Sequence, residues 1–258
     1  MCLITFAYKS HPEYSLILIA NRDEFYQRPS LPMHFWDDHN EILAGRDLEQ
    51  LGTWLGFNTA GKFTAVTNYR DGRNPAKSRR SRGELTANFL KCQQSADEYL
   101  LQLEQNKQEF GDFNLLVADQ TGLYYCSNRG AETHELQPGI YGMSNALLDT
   151  PWPKLQRVKQ DLTNAINSSA LTAEHLMGIM GNRETAPDKD LPDTGISLNW
   201  ERLLSSSFIQ ADNYGTRATT LVMQKPNGDT TVIEQGFDVG GPLARSEYKL
   251  TLPAIGVS

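Results

Sequence analysis

Apolar residues dominate two short segments near the start of the chain. Residues 2–8 are apolar at nearly every position, with Thr5 as the exception. A strand that is apolar on both faces is typical of a protein interior. Residues 15–20 form a second apolar run, which four polar residues at 21–24 end abruptly. Both runs therefore predict buried strands, with a polar cluster where the second strand ends.

Alternating and helical patterns continue along the rest of the chain. Further strands are predicted at 41–44, 52–57, 63–67, 114–119, 123–128, 133–136, 140–144, 214–224 and 230–237. Helices are predicted after the capping boxes at 81–84 and 95–98, after Pro151, and over 172–180. Prolines at 29 and 32 indicate a loop, and so does the Pro-, Asp- and Gly-rich segment 182–198. Runs of strands separated by helix pairs predict an α+β or layered fold, without a parallel βαβ sheet.

Composition narrows the class of protein. A length of 258 residues with 39% hydrophobic and 21% charged residues is that of an ordinary globular protein, and we expect one domain over 1–258. The net charge of −7 argues against a nucleic-acid partner, because nucleic-acid binders carry a basic surface. No apolar run approaches the roughly 20 residues of a membrane-spanning helix, so no integral membrane segment is expected.

Cysteine usage and short motifs point to a cytoplasmic protein without a cofactor. The three cysteines are scattered and show no CxxC spacing, which suits a reducing compartment and gives no zinc signature. The N-terminus has no basic segment followed by a long apolar one, so a secretory signal is not predicted. Neither a GxGxxG turn nor a P-loop is present, so no nucleotide cofactor or metal is expected.

The second residue has the chemistry of a nucleophile. If Met1 is trimmed, Cys2 carries a thiol and a free α-amine on one carbon. An α-amine titrates near pH ~7.7–8.0, so part of it is free to act as a base for the thiol at neutral pH. Taken alone, however, a lone cysteine in an apolar strand is more often a packing residue. The polar cluster at 21–24 suits a reaction centre, although a solvated turn has the same composition.

Several motifs together resemble a known family. The chain is similar to the NRDE family, the transport-and-Golgi-organisation proteins, which are grouped with N-terminal-nucleophile hydrolases such as penicillin V acylase and bile-salt hydrolase. The resemblance covers nearly the whole chain. It rests on the N-terminal cysteine and on the ordered motifs Asn21-Arg22-Asp23-Glu24, Gly52-Thr-Trp-Leu-Gly56, Thr67-Asn68-Tyr69-Arg70, Met143-Ser144-Asn145 and Tyr214-Gly215-Thr216-Arg217.

The resemblance implies a four-layer αββα sandwich and a role for each residue of the site. Asn68 and Asn145 would flank Cys2 and donate to the oxyanion, while Arg22 and Arg217 would keep its thiolate charged and oriented. From the residues alone, turn residues are the favoured interpretation of both asparagines, and the arginines could form surface ion pairs. In the bile-salt hydrolases the key acid stands three positions after the matching arginine; here Phe25 occupies that position and Asp23 is the acid.

Two classes of function follow from the resemblance. The first is a cysteine N-terminal-nucleophile hydrolase that cleaves a linear amide bond in a small or lipid-like substrate. The second is a carrier on the same fold, since members of this family are associated with haem trafficking and acyl-CoA metabolism. Fold alone does not separate the two.

A basic segment follows Asn68. Residues 70–82 contain six cations and one acid in a chain of net charge −7. The segment leads into a helix N-terminus, where backbone N–H groups favour anions. We therefore expect Arg70, Arg79 and Arg80 to bind the anionic part of a ligand. The alternative is a solvated loop, because runs of like charge repel and are often disordered.

Overall fold

The computed structural model describes residues 2–74, 80–130, 132–168 and 171–256. The strands in this part of the chain are β1 (Cys2–Tyr8), β2 (Leu16–Phe25), β3 (Ser30–Phe35), β4 (Ile42–Asp47), β5 (Leu55–Asn58), β6 (Phe63–Asn68), β7 (Phe113–Ala118), β8 (Leu123–Ser127), β9 (His134–Glu135), β10 (Gly139–Met143), β11 (Tyr214–Gln224), β12 (Asp229–Asp238) and β13 (Gly241–Thr251). The α-helices are α1 (Arg82–Lys91), α2 (Ala96–Leu103), α3 (Pro153–Ile166), α4 (Ala173–Ile179) and α5 (Leu198–Leu203).

The strands form two antiparallel sheets. The first sheet has the order β10-β1-β2-β11-β12-β13, and the second has the order β3-β4-β5-β6-β7-β8-β9. Both N-terminal strands lie inside the first sheet, where β2 pairs with β1 on one side and with β11 on the other. The two predicted buried strands are therefore confirmed, and both are covered on two faces.

Helices cover the outer face of each sheet. Ile4, Leu18 and Leu116 belong to a core between the sheets. On the outer face of the first sheet, Leu3 packs with α3 through Leu155 and with neighbouring apolar residues. The outer face of the second sheet packs in the same way against α1 and α2. The layers therefore follow the order helix, sheet, sheet, helix, and the expected four-layer αββα sandwich is confirmed.

The polar cluster at 21–24 does not end the second strand. β2 continues through all four residues to Phe25, so their side chains alternate between the two faces of the sheet. Leu18 lies in the core between the sheets and Ile19 under the helices. The same alternation directs Arg22 towards the space between the sheets and Asp23 towards the helix layer.

Most predicted elements are present, and the exceptions are edge strands and a short helix. β3 lies where the two prolines predicted a loop, β13 had no predicted counterpart, and α5 begins at the end of the predicted loop 182–198. The capping box at Ser95 is confirmed in α2. At the start of α1, Ser81 caps Gly83 N–H, but the Glu84 side chain pairs with Arg80 instead of closing a box. None of the described helices is long and apolar enough to span a bilayer.

Candidate active site

A cavity of about 330 Å³ opens between the ends of the two sheets. Cys2 and Arg22 reach it from the first sheet, and Asn68 reaches it from the end of β6 in the second sheet. Arg82 contributes from the first turn of α1, and Arg217 from β11. Residues that are distant in sequence thus meet in one pocket.

Cys2 begins β1 and stands in register with Arg22 of β2. Only 7% of the residue is exposed, and the Ser144 hydroxyl donates to its carbonyl oxygen at 3.3 Å. Burial raises the pKa of the Cys2 thiol, and the negative charge of Asp23 raises it further. Arg22 acts in the opposite direction, but burial is the larger influence on the pKa of this thiol. The roles of Arg22 and Arg217 in keeping a thiolate charged and oriented stay predictions. A base must remove the proton.

The four residues of the polar cluster at 21–24 differ in what they contact. Arg22 and Glu24 line the cavity. Asn21 is fully buried and donates its amide hydrogens to the carbonyl oxygens of Met180 at 2.9 Å and Ser207 at 2.8 Å. Asn21 thereby joins the first sheet to the end of α4 and to the segment before β11.

Asp23 lies behind the nucleophile, on the helix side of the sheet. It is 1% exposed and accepts a hydrogen bond from the Thr216 hydroxyl at 2.7 Å. Burial raises the pKa of Asp23, and the positive charge of Lys154 is the strongest of the influences that lower it. Asp23 therefore faces the back of the site, from which it can act on a group at the start of β1.

The two predicted asparagines are in direct contact and have different positions. Asn145 is fully buried and donates from Nδ2 to the carbonyl oxygen of Asn68 at 3.1 Å and to its Oδ1 at 2.9 Å. Asn68 lines the cavity, and its own Nδ2 is not used in these bonds. Asn68 is thus the candidate oxyanion donor, and Asn145 holds it in place.

Three arginines that line the cavity are not engaged in ion pairs with described carboxylates. Arg22, Arg82 and Arg217 form no ion pair with a carboxylate among the described residues. Arg217 sits in a β-bulge and donates from Nη1 to the backbone carbonyl oxygens of residues 25, 26 and 28 at 3.0, 3.1 and 3.2 Å. Arg82 donates to the carbonyl oxygen of Asp112 at 3.2 Å. Arg82 and Arg217 therefore use backbone carbonyl oxygens as their hydrogen-bond acceptors.

Two of the three residues expected to bind the anionic part of a ligand, Arg70 and Arg80, do not line the Cys2 cavity. Arg70 is buried and pairs with Glu201 at 2.7 Å. Arg80 pairs with Glu84 and, at 3.4 Å, with Glu109. Arg79 falls outside the described residues. Within the described part of the basic segment, Arg82 is the arginine that reaches the Cys2 cavity.

Sequence reasoning missed three charged residues around the site: Arg82, Lys154 and Glu234. Lys154 stands four residues before Val158 on the buried face of α3, so a cation at an inward position was the available signal. Glu234 stands two residues after Val232, on the face of β12 that meets the second sheet. The alternation of residues along β12 predicts that Glu234 faces inward, but it does not predict that its carboxylate accepts a hydrogen bond from Met33 N–H.

An αββα sandwich in which a cysteine begins an inner strand beside a pocket defines a protein of the N-terminal-nucleophile hydrolase fold. Residues 1–238 match the family Transport and Golgi organisation 2, and the chain belongs to that family. It is similar to the Transport and Golgi organization protein 2 homologs of Bos taurus and Homo sapiens, each 37% identical over 92% of this chain and 93% of the relative. Among solved structures, the Caenorhabditis elegans N-acylethanolamine-hydrolyzing acid amidase ortholog superposes with a TM-score of 0.49 at 11% identity, over 85% of this chain and 92% of that chain.

Proposed function

We propose that the protein is a cysteine N-terminal-nucleophile hydrolase that cleaves a linear amide bond after removal of Met1. The observation that carries the proposal is the position of Cys2, which begins an inner strand and lines a cavity together with Asn68 and Arg22. A cysteine at this place can present its thiol to the pocket while its α-amine lies on the same residue. No other group is then needed as the base.

The reaction has two halves. The α-amine of Cys2 takes the thiol proton as Sγ attacks the carbonyl carbon, and Asn68 Nδ2 donates to the oxyanion that forms. When the C–N bond breaks, the ammonium returns the proton to the leaving nitrogen, and the acyl group remains as a thioester. Water then attacks the thioester with the amine again as base, which releases a carboxylic acid and regenerates the thiol.

The cavity favours a substrate with an anionic group. Arg22, Arg82 and Arg217 face the pocket without a carboxylate partner among the described residues, and guanidinium groups bind carboxylates and phosphates in a bidentate manner. Leu31 and Leu243 also line the pocket and are 42% and 52% exposed, which suits an acyl chain. The proposed partner is therefore a small or lipid-like anionic amide. The three free cysteines suit a cytoplasmic setting.

The same arginines support a second candidate function. A cavity lined by three guanidinium groups that form no ion pair with a described carboxylate can hold an anionic hydrophobic ligand, such as an acyl-CoA or haem, without turning it over. In that case Cys2 fills space in the strand, and its side chain contributes nothing beyond packing.

The test begins with the intact mass, which shows whether Met1 is removed. The protein is then incubated with N-acylglycines of increasing chain length and with the matching neutral N-acylglycinamides. We expect hydrolysis of the anionic series, and a loss of at least about 10³-fold in turnover for Cys2→Ala because the nucleophile is gone. Cys92→Ser, which changes a cysteine outside the cavity, is the matched control and should keep full activity.

A carrier would give a different pattern. It would bind acyl-CoA or haem equally well as wild type and as Cys2→Ala, with no product from any amide. A retained Met1 would also exclude the proposed mechanism, because the nitrogen of Cys2 would then be a peptide nitrogen.

A further inference from the structure

Lys154 is a buried lysine at the start of α3. It is 2% exposed, and its Nζ has no hydrogen-bond partner among the residues that the structure describes. It is also the second residue of α3, directly after Pro153, where the positive end of the helix dipole opposes a cation. Both features are unfavourable, so the compensation must come from a nearby negative charge.

The charges that act on Lys154 come from three elements and from the segment after β6. Asp23 of β2 has the largest favourable effect, and Cys2 of β1 and Glu201 of α5 act in the same direction. Arg70, which follows β6, opposes them. Glu201 already accepts from Arg70 at 2.7 Å, so the charge of Asp23 is the principal compensation for Lys154.

Geometry places Lys154 and Asp23 on the same side of the first sheet. α3 packs on the outer face, where Leu155 and Val158 meet Leu3 of β1. Asp23 faces this layer and is held there by Thr216. The pair therefore lies behind the start of β1, where the α-amine of a processed Cys2 would be.

We propose that Lys154 is a positioning residue that compensates the charge of Asp23 and thereby keeps the α-amine of Cys2 unprotonated near neutral pH. The inference rests on the proposed function, since it concerns the base of that mechanism. An ionised Asp23 alone would favour the ammonium form of the amine, which cannot accept the thiol proton. The positive charge of Lys154 opposes this effect of Asp23, because it repels an ammonium group across an interior of low dielectric constant.

The test titrates the α-amine directly. Protein with an N-terminal Cys2, confirmed by intact mass, is pulsed with acetic anhydride between pH 5 and pH 10. Before the pulse, the Cys2 thiol is blocked as a methyl disulfide with methyl methanethiosulfonate, because an acetyl group on Sγ would move to the adjacent amine. Mass spectrometry of the N-terminal peptide then gives the acetylated fraction of the amine. Lys154→Met and Lys154→Gln should each move the midpoint upward by about one pH unit, a roughly tenfold loss of free amine on the acidic side. Lys154→Arg keeps the charge and should titrate like the wild type.

A matched control and the possible outcomes separate this inference from the proposed function. Lys159→Met removes a lysine from the solvent side of the same helix, where it pairs with Asp149 at 2.7 Å, and should leave the midpoint unchanged. An unmoved midpoint in both Lys154→Met and Lys154→Gln would overturn the inference, as would a shift of the same size in Lys154→Arg. A wild type that hydrolyses no amide but shows the Lys154-dependent titration would overturn the proposed function alone. A retained Met1 would remove the basis of both.

Discussion

At the scale of single residues, the two asparagines of the site have separable roles. Asn68 is half-buried at the cavity. Asn145 is fully buried and donates two hydrogen bonds from its side-chain amide to Asn68. In the proposed reaction, Asn68 contacts the reacting carbonyl group and Asn145 acts by holding Asn68. Substitution of either asparagine should therefore lower turnover, whereas substitution of Asn145 should lower stability more than substitution of Asn68.

We predict that Asn68→Ala lowers turnover by about 10²–10³-fold, the usual effect of removing one oxyanion donor. Its thermal midpoint should stay close to that of the wild type, because the amide is only half-buried. Asn145→Ala should lower both turnover and the thermal midpoint, since it removes two hydrogen bonds made by a fully buried amide. The check is steady-state kinetics beside thermal unfolding, with the exposed Asn74→Ala as control. Equal stability losses in the two variants would contradict the assigned roles.

Glu234 gives a pH dependence of stability. It is 4% exposed and accepts from the Met33 N–H at 2.6 Å. Burial raises the pKa of Glu234, and the bond from Met33 only partly offsets this. Because the folded state holds the proton more tightly than the unfolded state, its contribution to stability is present at acidic pH and is lost as the pH rises through the folded pKa.

We therefore predict that Glu234→Gln becomes more stable relative to the wild type as the pH rises from 4 to 8. The amide keeps an oxygen that can accept from Met33 but cannot ionise. Urea unfolding at pH 4, 6 and 8 measures the difference in free energy of unfolding. Glu247→Gln, a substitution in the exposed strand β13, should show no such trend. A constant difference for Glu234→Gln across this range would show that the carboxyl does not change its protonation there.

At the scale of elements, the approach of α1 to the turn after β4 shapes one wall of the cavity. Gly52 and Gly83 both line the pocket, and Thr53 N–H donates to the Gly83 carbonyl oxygen at 3.2 Å. A Cβ on Gly52 would lie 2.4 Å from the carbonyl carbon and oxygen of Gly83. Backbone atoms cannot swing aside as side chains do, so the helix start must shift.

We predict that Gly52→Ala destabilises the fold by about 1–3 kcal/mol, as overpacking usually does, and displaces Arg82 at the first turn of α1. Denaturant unfolding gives the first effect, and weaker binding of an anionic N-acylglycine gives the second. Gly178→Ala is the matched control: a Cβ there meets nothing within 4 Å, and it lies inside α4. That change should stabilise by roughly 0.5–1 kcal/mol. If Gly52→Ala behaved like Gly178→Ala, the close approach would not constrain the wall.

At the scale of the whole molecule, a buried ion pair joins the segment before β11 to the end of β6. Arg70 donates to Glu201 at 2.7 Å, and the other carboxylate oxygen of Glu201 accepts from Thr194 N–H at 3.0 Å. Arg70 N–H in turn donates to the carbonyl oxygen of Asn145 at 2.8 Å. The pair is therefore continuous with the residues that hold Asn68.

We predict that Glu201→Gln lowers the free energy of unfolding by about 3–5 kcal/mol, because it removes the carboxylate that pairs with the buried Arg70 guanidinium. The double variant Arg70→Met, Glu201→Leu should lose less than Glu201→Gln alone, since neither charge of the pair remains. The exposed pair of Arg202 with Asp188 is the control, and Asp188→Asn should change stability by less than about 1 kcal/mol. Denaturant unfolding of the wild type and of these three variants measures the differences in free energy of unfolding. A loss for Glu201→Gln as small as that for Asp188→Asn would mean that water reaches the pair.

The sequence by itself determined most of the elements and the residue types at the centre of the site. The apolar runs at 2–8 and 15–20 and the cap at Ser95 depend on neighbours within a few positions, so a local pattern suffices to predict them. The edge strands β3 and β13 were not predicted, because pairing with a neighbouring strand stabilises them. Both contain a proline, and most residues of β13 are exposed, so neither has the local pattern of a strand.

Only the tertiary structure decided which charges are available for chemistry. Arg70 and Arg82 belong to the same basic segment, yet one is paired with Glu201 and the other faces the pocket without a described carboxylate partner. Likewise, Lys154 meets the influence of Asp23 across 131 positions of sequence only because α3 packs behind β2. The pKa of a side chain, and whether its charge is paired, depend on burial and on the nearest opposite charge. Both are determined by which distant segments of the chain are in contact.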